Sequence, residues 1–139
     1  MIAAGDFKSR FHQYASNRYA LVLVADQTPG SPANAYWVNF FGKLTPFVTG
    51  PEKGARLNDC AVIFCNFFKV RRGYYEVELH MECLEPRELK RGELTLRFVR
   101  FMEDCIRKRP DNYLWSHKRW KWPYKDEYAR HLIRDEEFA

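Results

Sequence analysis

Chemistry in this chain would have to come from a few side chains. His80 opens His80-Met-Glu-Cys-Leu-Glu85, with an acid five residues on. That spacing can pair a general base with a carboxylate that orients it. The plainer reading is a solvated residue, since His80 alternates with Glu76, Glu78 and Glu82. His117 sits among Lys118, Arg119 and Lys121. Neighbouring cations disfavour a second positive charge, so a neutral, hydrogen-bonding imidazole is expected, with a packing role as the alternative. His12 and His131 read as surface residues. Asp26, followed by Gln27, ends the apolar run Tyr19–Ala25. An acid at the carboxyl end of a buried strand is where open α/β sheets place ligand sites, although it could equally cap a nearby loop.

No nucleophile elbow, phosphate-cradling glycine loop or metal-ligand cluster occurs, so no metal or cofactor is expected. Cys60, Cys65, Cys83 and Cys105 include no Cys-x-x-Cys pair and lie in or beside apolar stretches, which suggests buried free thiols. The formal charge of +5 is concentrated: Arg107 to Lys125 holds seven bases and one acid, and the other 16 bases and 17 acids nearly cancel. Within it, Tyr113–Trp122 interleaves cations with indoles. Such a stretch can stack on single-stranded nucleic acid, sit at a membrane interface, or pack its Trp residues and leave its cations in water. With 46% hydrophobic residues and 23 aromatic ones, the chain can build a core, and no apolar run approaches a membrane span. The first residues have no signal-peptide pattern.

The elements that would position these groups can be read in order. Asp6–Ser16 has Phe7, Phe11 and Tyr14 at helical spacing. Tyr19–Ala25 reads as a strand buried on both faces. Thr28–Ala35 is a loop, and Tyr36–Phe47 is aromatic but irregular, able to line a groove or cap the core. Thr49-Gly50-Pro51-Glu52 starts a helix running to about Asp59 and carrying Arg56. Ala61–Lys69 is a second buried strand. After a turn at Arg71-Arg72-Gly73, Tyr74–Glu82 alternates, with Tyr75, Val77, Leu79 and Met81 on the expected buried face. Glu93–Lys108 is an amphipathic helix stopped by Pro110, with Leu94, Phe98, Phe101, Met102, Cys105 and Ile106 on one face. The charged tail beyond Trp122 reads as a marginal helix or frayed end. The fold class is α/β, a small mixed sheet of Tyr19–Ala25, Ala61–Lys69 and Tyr74–Glu82 flanked by helices.

Five segments together resemble one family. Ala25-Asp26-Gln27-Thr28-Pro29, Asn39-Phe40-Phe41-Gly42, Thr49-Gly50-Pro51 with Arg56, Arg72-Gly73-Tyr74-Tyr75, and Tyr113-Leu114-Trp115-Ser116-His117-Lys118-Arg119-Trp120-Lys121 follow the order and spacing of the carboxyl-terminal half of the bacterial lipid A biosynthesis (lauroyl/myristoyl) acyltransferases, in the lysophospholipid acyltransferase superfamily. The resemblance implies a partial acyltransferase α/β fold over residues 1–122, followed by a charged tail over 123–139. It implies transfer of a fatty acyl chain from acyl carrier protein to a lipid A precursor or related lipid, in lipopolysaccharide synthesis at the cytoplasmic face of the inner membrane. The family's base, a His-x-x-x-x-Asp/Glu motif, belongs upstream of the segment matching Tyr19–Gln27. The chain is therefore expected to be part of a larger enzyme, peripheral to the membrane, inactive alone and prone to self-association. The resemblance makes Asp26 a supporting catalytic acid, and Gln27, Arg56, His117, Lys118 and Arg119 substrate-binding candidates, with no nucleic-acid partner. The alternative is a stand-alone basic-aromatic module for nucleic acid or an acidic partner.

Overall fold

The aromatic stretch that looks irregular in sequence builds the central hairpin. In the computed structural model, which describes Gln13 and residues 18–138, β1 (Tyr36–Phe40) pairs antiparallel with β2 (Lys43–Phe47). The two linking residues, Phe41 and Gly42, both have positive φ, 50° and 80°. A two-residue hairpin needs this backbone to match strand twist, and Gly42 supplies it without strain. Phe41 adopts it with help: its N–H donates to the Glu103 carboxylate at 2.7 Å.

The hairpin is extended on its other edge by β5 (Leu132–Ile133), which runs parallel to β1 and gives the order β2-β1-β5. The tail is thus no frayed end. Ile133 is buried, and Tyr128 stacks on the buried Trp37 ring at 5.1 Å. The charged, loop-like tail hides a two-residue strand because the pairing is long-range and leaves no local pattern.

Helix α1 spans Gly50–Asn58, with Thr49 at its N-cap and Pro51 in its first turn, and ends at Asp59 in the left-handed region. Helix α2 spans Glu93–Lys108, the range its periodicity predicts. The two are joined through Glu52. Its buried carboxylate accepts the N–H of Gly92 (2.6 Å) and of Thr95 (3.0 Å) and the Thr95 hydroxyl (2.7 Å). An acid on α1 therefore caps the start of α2. Gly92 has φ +86°, and a Cβ there would overlap the Ile133 side chain. Leu96, Val99, Met102 and Ile106 pack with Tyr36, Val38, Phe40, Phe47 and Ile133 in the main core. Phe98 and Phe101 turn toward Phe64, with ring centroids 5.3 and 5.2 Å away.

Phe64 belongs to β3 (Val62–Arg71), which pairs antiparallel with β4 (Tyr74–Cys83) through a turn at Gly73, φ +80°. These two strands form a separate ribbon, so the expected single sheet is two small ones. Tyr19–Ala25 joins neither: it forms no strand, and Leu21 to Val24 are exposed. A strand buried on both faces needs a paired edge and a layer on each side, and no described element provides them. A tie at its start is the Tyr19 hydroxyl, 2.9 Å from Cys60 Sγ.

The ribbon also reverses the expected faces. Phe64 and Phe68 are the buried residues of β3, whose other face is open. The register sets Cys65 opposite Leu79 and Phe67 opposite Val77, and this apolar face meets solvent, with Leu79 69% exposed. The acidic face turns to α2 instead, where Glu82 pairs with Arg97 at 3.1 Å and Arg109 lies 3.8 Å from Glu78. Arg97 of α2 and Arg109 just beyond it pair with the acidic face, and Phe64 and Phe68 supply the apolar contact. The cysteines are likewise not buried: Cys65 is exposed and the other three half-exposed, all as free thiols. The Asp6–Ser16 helix and His12 lie outside the described residues.

Candidate functional site

The loop after Ala25 and the basic aromatic stretch lie far apart in sequence and meet at Thr28. The Thr28 N–H donates to His117 Nε2 at 3.1 Å, and its hydroxyl oxygen lies 3.2 Å from the same atom. A backbone N–H can only donate, so Nε2 is the acceptor of this bond. The hydroxyl donates toward the carbonyls of Lys118 (3.1 Å) and Arg119 (3.3 Å). A second clasp forms next door, where Trp122 Nε1 donates to the Pro29 carbonyl at 3.0 Å. The sequence Asp26-Gln27-Thr28-Pro29 is therefore pinned at its third and fourth residues, with Asp26 and Gln27 exposed beside the pins.

Arg119 is the hub of this region. It has 0% exposure, its Nη2 donates to the Pro46 carbonyl at 2.9 Å, and its guanidinium carbon lies 4.0 Å from the centre of the Phe47 ring. Burial pushes its pKa down to about 10, against the opposing pull of Tyr113 and the Asp26 carboxylate. Arg119 Nε and the Tyr113 hydroxyl are buried without hydrogen-bond partners. Burial pushes the Tyr113 phenol up, the Arg119 charge opposes it, and Asp26 adds to it. Asp26 thus acts on both groups through its charge.

The remaining candidates divide cleanly. Lys118 is exposed, and so is Lys121. Arg56 is half-buried on α1 and lies 3.8 Å from Glu52. Among the described residues no hydrogen bond or ion pair joins it to the His117 region. His80 approaches Glu82 at 3.6 Å and stacks on Phe101 at 6.0 Å, with no contact to Glu85. The same His-x-x-x-x-Glu spacing also occurs at His131–Glu136. There His131 is boxed by Arg91 and Arg130, each 3.0 Å from a ring nitrogen, and Glu136 is exposed. In neither case do the histidine and the glutamate meet.

Two functional-looking residues escaped the sequence reading. Thr28 joins the two motifs, and its only signal was its place after Asp26-Gln27. Glu52 looked like an ordinary first-turn acid and instead anchors two helices. A cleft of about 450 Å³ lies elsewhere, lined by Glu82, Arg97, Arg100, Asp135 and Phe138. Its charges pair with one another, as Arg100 with Asp135 at 2.6 Å and Arg97 with Glu82. Among the described residues no cluster could hold a metal ion, and no helix is long and apolar enough to cross a membrane.

These features define a mixed α/β protein whose acid-bearing loop is latched onto a basic aromatic closing stretch. The chain belongs to the bacterial lipid A biosynthesis acyltransferases, whose family model matches residues 1–122. That span takes in the whole latch and stops at Trp122, leaving His131–Glu136 outside it. Comparison with curated proteins gives no match.

Proposed function

We propose that this chain forms the carboxyl-terminal half of an enzyme that moves a fatty acyl chain from acyl carrier protein to a hydroxyl of a lipid A precursor or related lipid, at the cytoplasmic face of the inner membrane. The observation that carries this reading is the latch within a family match over residues 1–122. The two motifs on which the family resemblance chiefly rests, Asp26-Gln27 and the Trp-Ser-His-Lys-Arg close, are held in one place by Thr28.

Roles follow from exposure. Asp26 and Gln27, open to solvent beside a fixed backbone, are suited to charge-balance and orient a reacting centre supplied from outside this latch. Lys118 is an exposed cation available to a lipid phosphate or an acidic carrier. His117 and Arg119 act as positioning residues: one is occupied at Nε2, and the other is sealed between Pro46 and Phe47. Arg56 is kept as an anion contact only if its long pair with Glu52 yields. Indoles do not offer an open row for stacking bases, because Trp120 stacks on Phe40 at 5.9 Å and Trp122 is bonded to Pro29. This favours the lipid-linked reading over a nucleic-acid module.

The chain by itself is expected to be inactive. Neither His-x-x-x-x-Glu spacing forms a pair, and Leu21–Val24 with Ile63, Leu79 and Met81, at the ribbon end away from the Gly73 turn, present the uncovered apolar surface expected where a further part of the domain docks. In the assembled enzyme, Asp26→Asn should lower kcat about tenfold or more with KM little changed, whereas Lys118→Gln should raise KM severalfold. Acyl transfer from carrier protein to a lipid A precursor by this polypeptide alone would refute the half-domain assignment. Unchanged kinetics in both variants would refute the site.

A further inference from the structure

The turn of the β3–β4 ribbon and the residues after α2 converge at one end of the molecule. Asn112 Oδ1 accepts the Lys69 N–H at 3.2 Å, and its Nδ2 donates to the Phe67 carbonyl at 2.9 Å. The Arg109 guanidinium lies 3.5 Å from the centre of the Phe68 ring. Leu114 and Trp115, two and three residues beyond Asn112, are thereby kept close to the ribbon. Trp115 is fixed by its Nε1–H to the Pro110 carbonyl at 2.6 Å, yet remains 56% exposed. Phe67, Val70, Tyr74, Tyr75 and Leu114 are exposed as well. Phe67 stacks on Tyr75 at 5.2 Å, and Arg71 lies 3.7 Å above Tyr74.

Cations are set among these rings. Lys69, Arg71, Arg72 and Lys108 have no ion pair among the described residues, whereas their neighbours Arg107 and Arg109 are paired with Asp104 and Glu78. Exposed aromatic rings mixed with unpaired Lys and Arg match the boundary of a bilayer, where rings lie at headgroup level and cations reach phosphates. A protein interface of the same size would be depleted in lysine at its centre.

We propose that this end of the molecule, the ribbon turn with Leu114 and Trp115, is a membrane-docking surface that lies in the headgroup layer of a bilayer containing anionic phospholipids. It rests on the acyltransferase reading for the presence of a membrane, not for any catalytic role. Docking there brings His117 and the latch, two residues beyond Trp115, to the lipid surface.

The test is co-sedimentation of the full chain with phosphatidylglycerol–phosphatidylcholine vesicles and with phosphatidylcholine alone. Binding should require the anionic lipid and weaken as salt rises. Arg71→Gln with Arg72→Gln should reduce affinity roughly 30-fold. Lys53→Gln with Lys90→Gln removes the same charge elsewhere and should change it less than about twofold. Bromolipid quenching of tryptophan emission gives an independent reading: it should be present in the wild type and fall clearly in Trp115→Phe. The proposal is overturned if the wild type does not bind anionic vesicles, if both double variants lose affinity equally, or if quenching is unchanged in Trp115→Phe. Acyl transfer to detergent-dispersed acceptor by the assembled enzyme is a separate measurement, so the enzyme reading can stand when the docking surface fails.

Discussion

The hairpin core and the ribbon use similar residues to opposite ends. In β1 and β2 the apolar residues pack with α2 and Ile133, and Arg119, the one cation buried among the described residues, is tied to the Pro46 carbonyl. In β3 and β4 a whole apolar face looks outward, and ion pairs to Arg97 and Arg109 hold the inner one. Alternation in a strand therefore specifies that one face is apolar, not that the face is covered. Coverage depends on what neighbours exist. The core region is self-sufficient, while the ribbon carries surface suited to partners.

Breaking the core side of that contrast should have the largest effect. Arg119→Ala removes a sealed side chain, leaves the Pro46 carbonyl without this donor and opens a cavity beneath Phe47, so a loss on the order of 3–5 kcal/mol is expected in chemical denaturation. Arg119→Met refills the space without a buried charge and should recover more than half of the loss. If Met is as damaging as Ala, the hydrogen bonds and not the packing hold the site. Next comes Glu52→Ala, which leaves the Gly92 and Thr95 N–H groups unpaired in a buried place. It should cost about 2–3 kcal/mol, with hydrogen exchange rising first in the opening turn of α2.

Local signals made much of this legible. The bounds of α2 follow from its periodicity and Pro110, those of α1 from Thr49 and Pro51, and the ribbon turn from Gly73. The family resemblance rested on short motifs, and the latch brings two of them together. Long-range choices were not legible. Glu52 caps a helix forty residues away, Leu132–Ile133 has no period to read in two residues, and the ribbon face that turns inward is set by its contacts with α2 and Arg109. Tyr19–Ala25 has strand composition, but composition cannot supply a pairing edge.

A smaller effect should appear with pH. Burial, then Arg130, Arg91 and Lys53, holds the His131 imidazole below its ordinary value of 6.5. As pH falls, the unfolded chain takes up this proton before the folded one does, so the contribution is intact above 6.5 and is lost on acidification below it. His131→Gln should flatten that limb of the stability profile and leave neutral pH nearly unchanged. An identical slope in the variant would assign it to carboxylates instead.

The smallest effect sharpens the comparison most. Val38 and Val77 are both strand valines on apolar faces, yet Val38 is fully buried against α2 and Val77 is exposed. Val38→Thr buries a hydroxyl with no partner in that core and should cost about 2 kcal/mol. Val77→Thr, or Leu79→Thr beside it, should fall within about 0.5 kcal/mol in the isolated chain, because threonine fits a strand and nothing packs on that face. The same ribbon variants should weaken assembly of a complete enzyme if the face is covered there. A loss above 1 kcal/mol for Val77→Thr in the isolated, monomeric chain would mean that the ribbon is covered from within and that the two regions do not differ in kind.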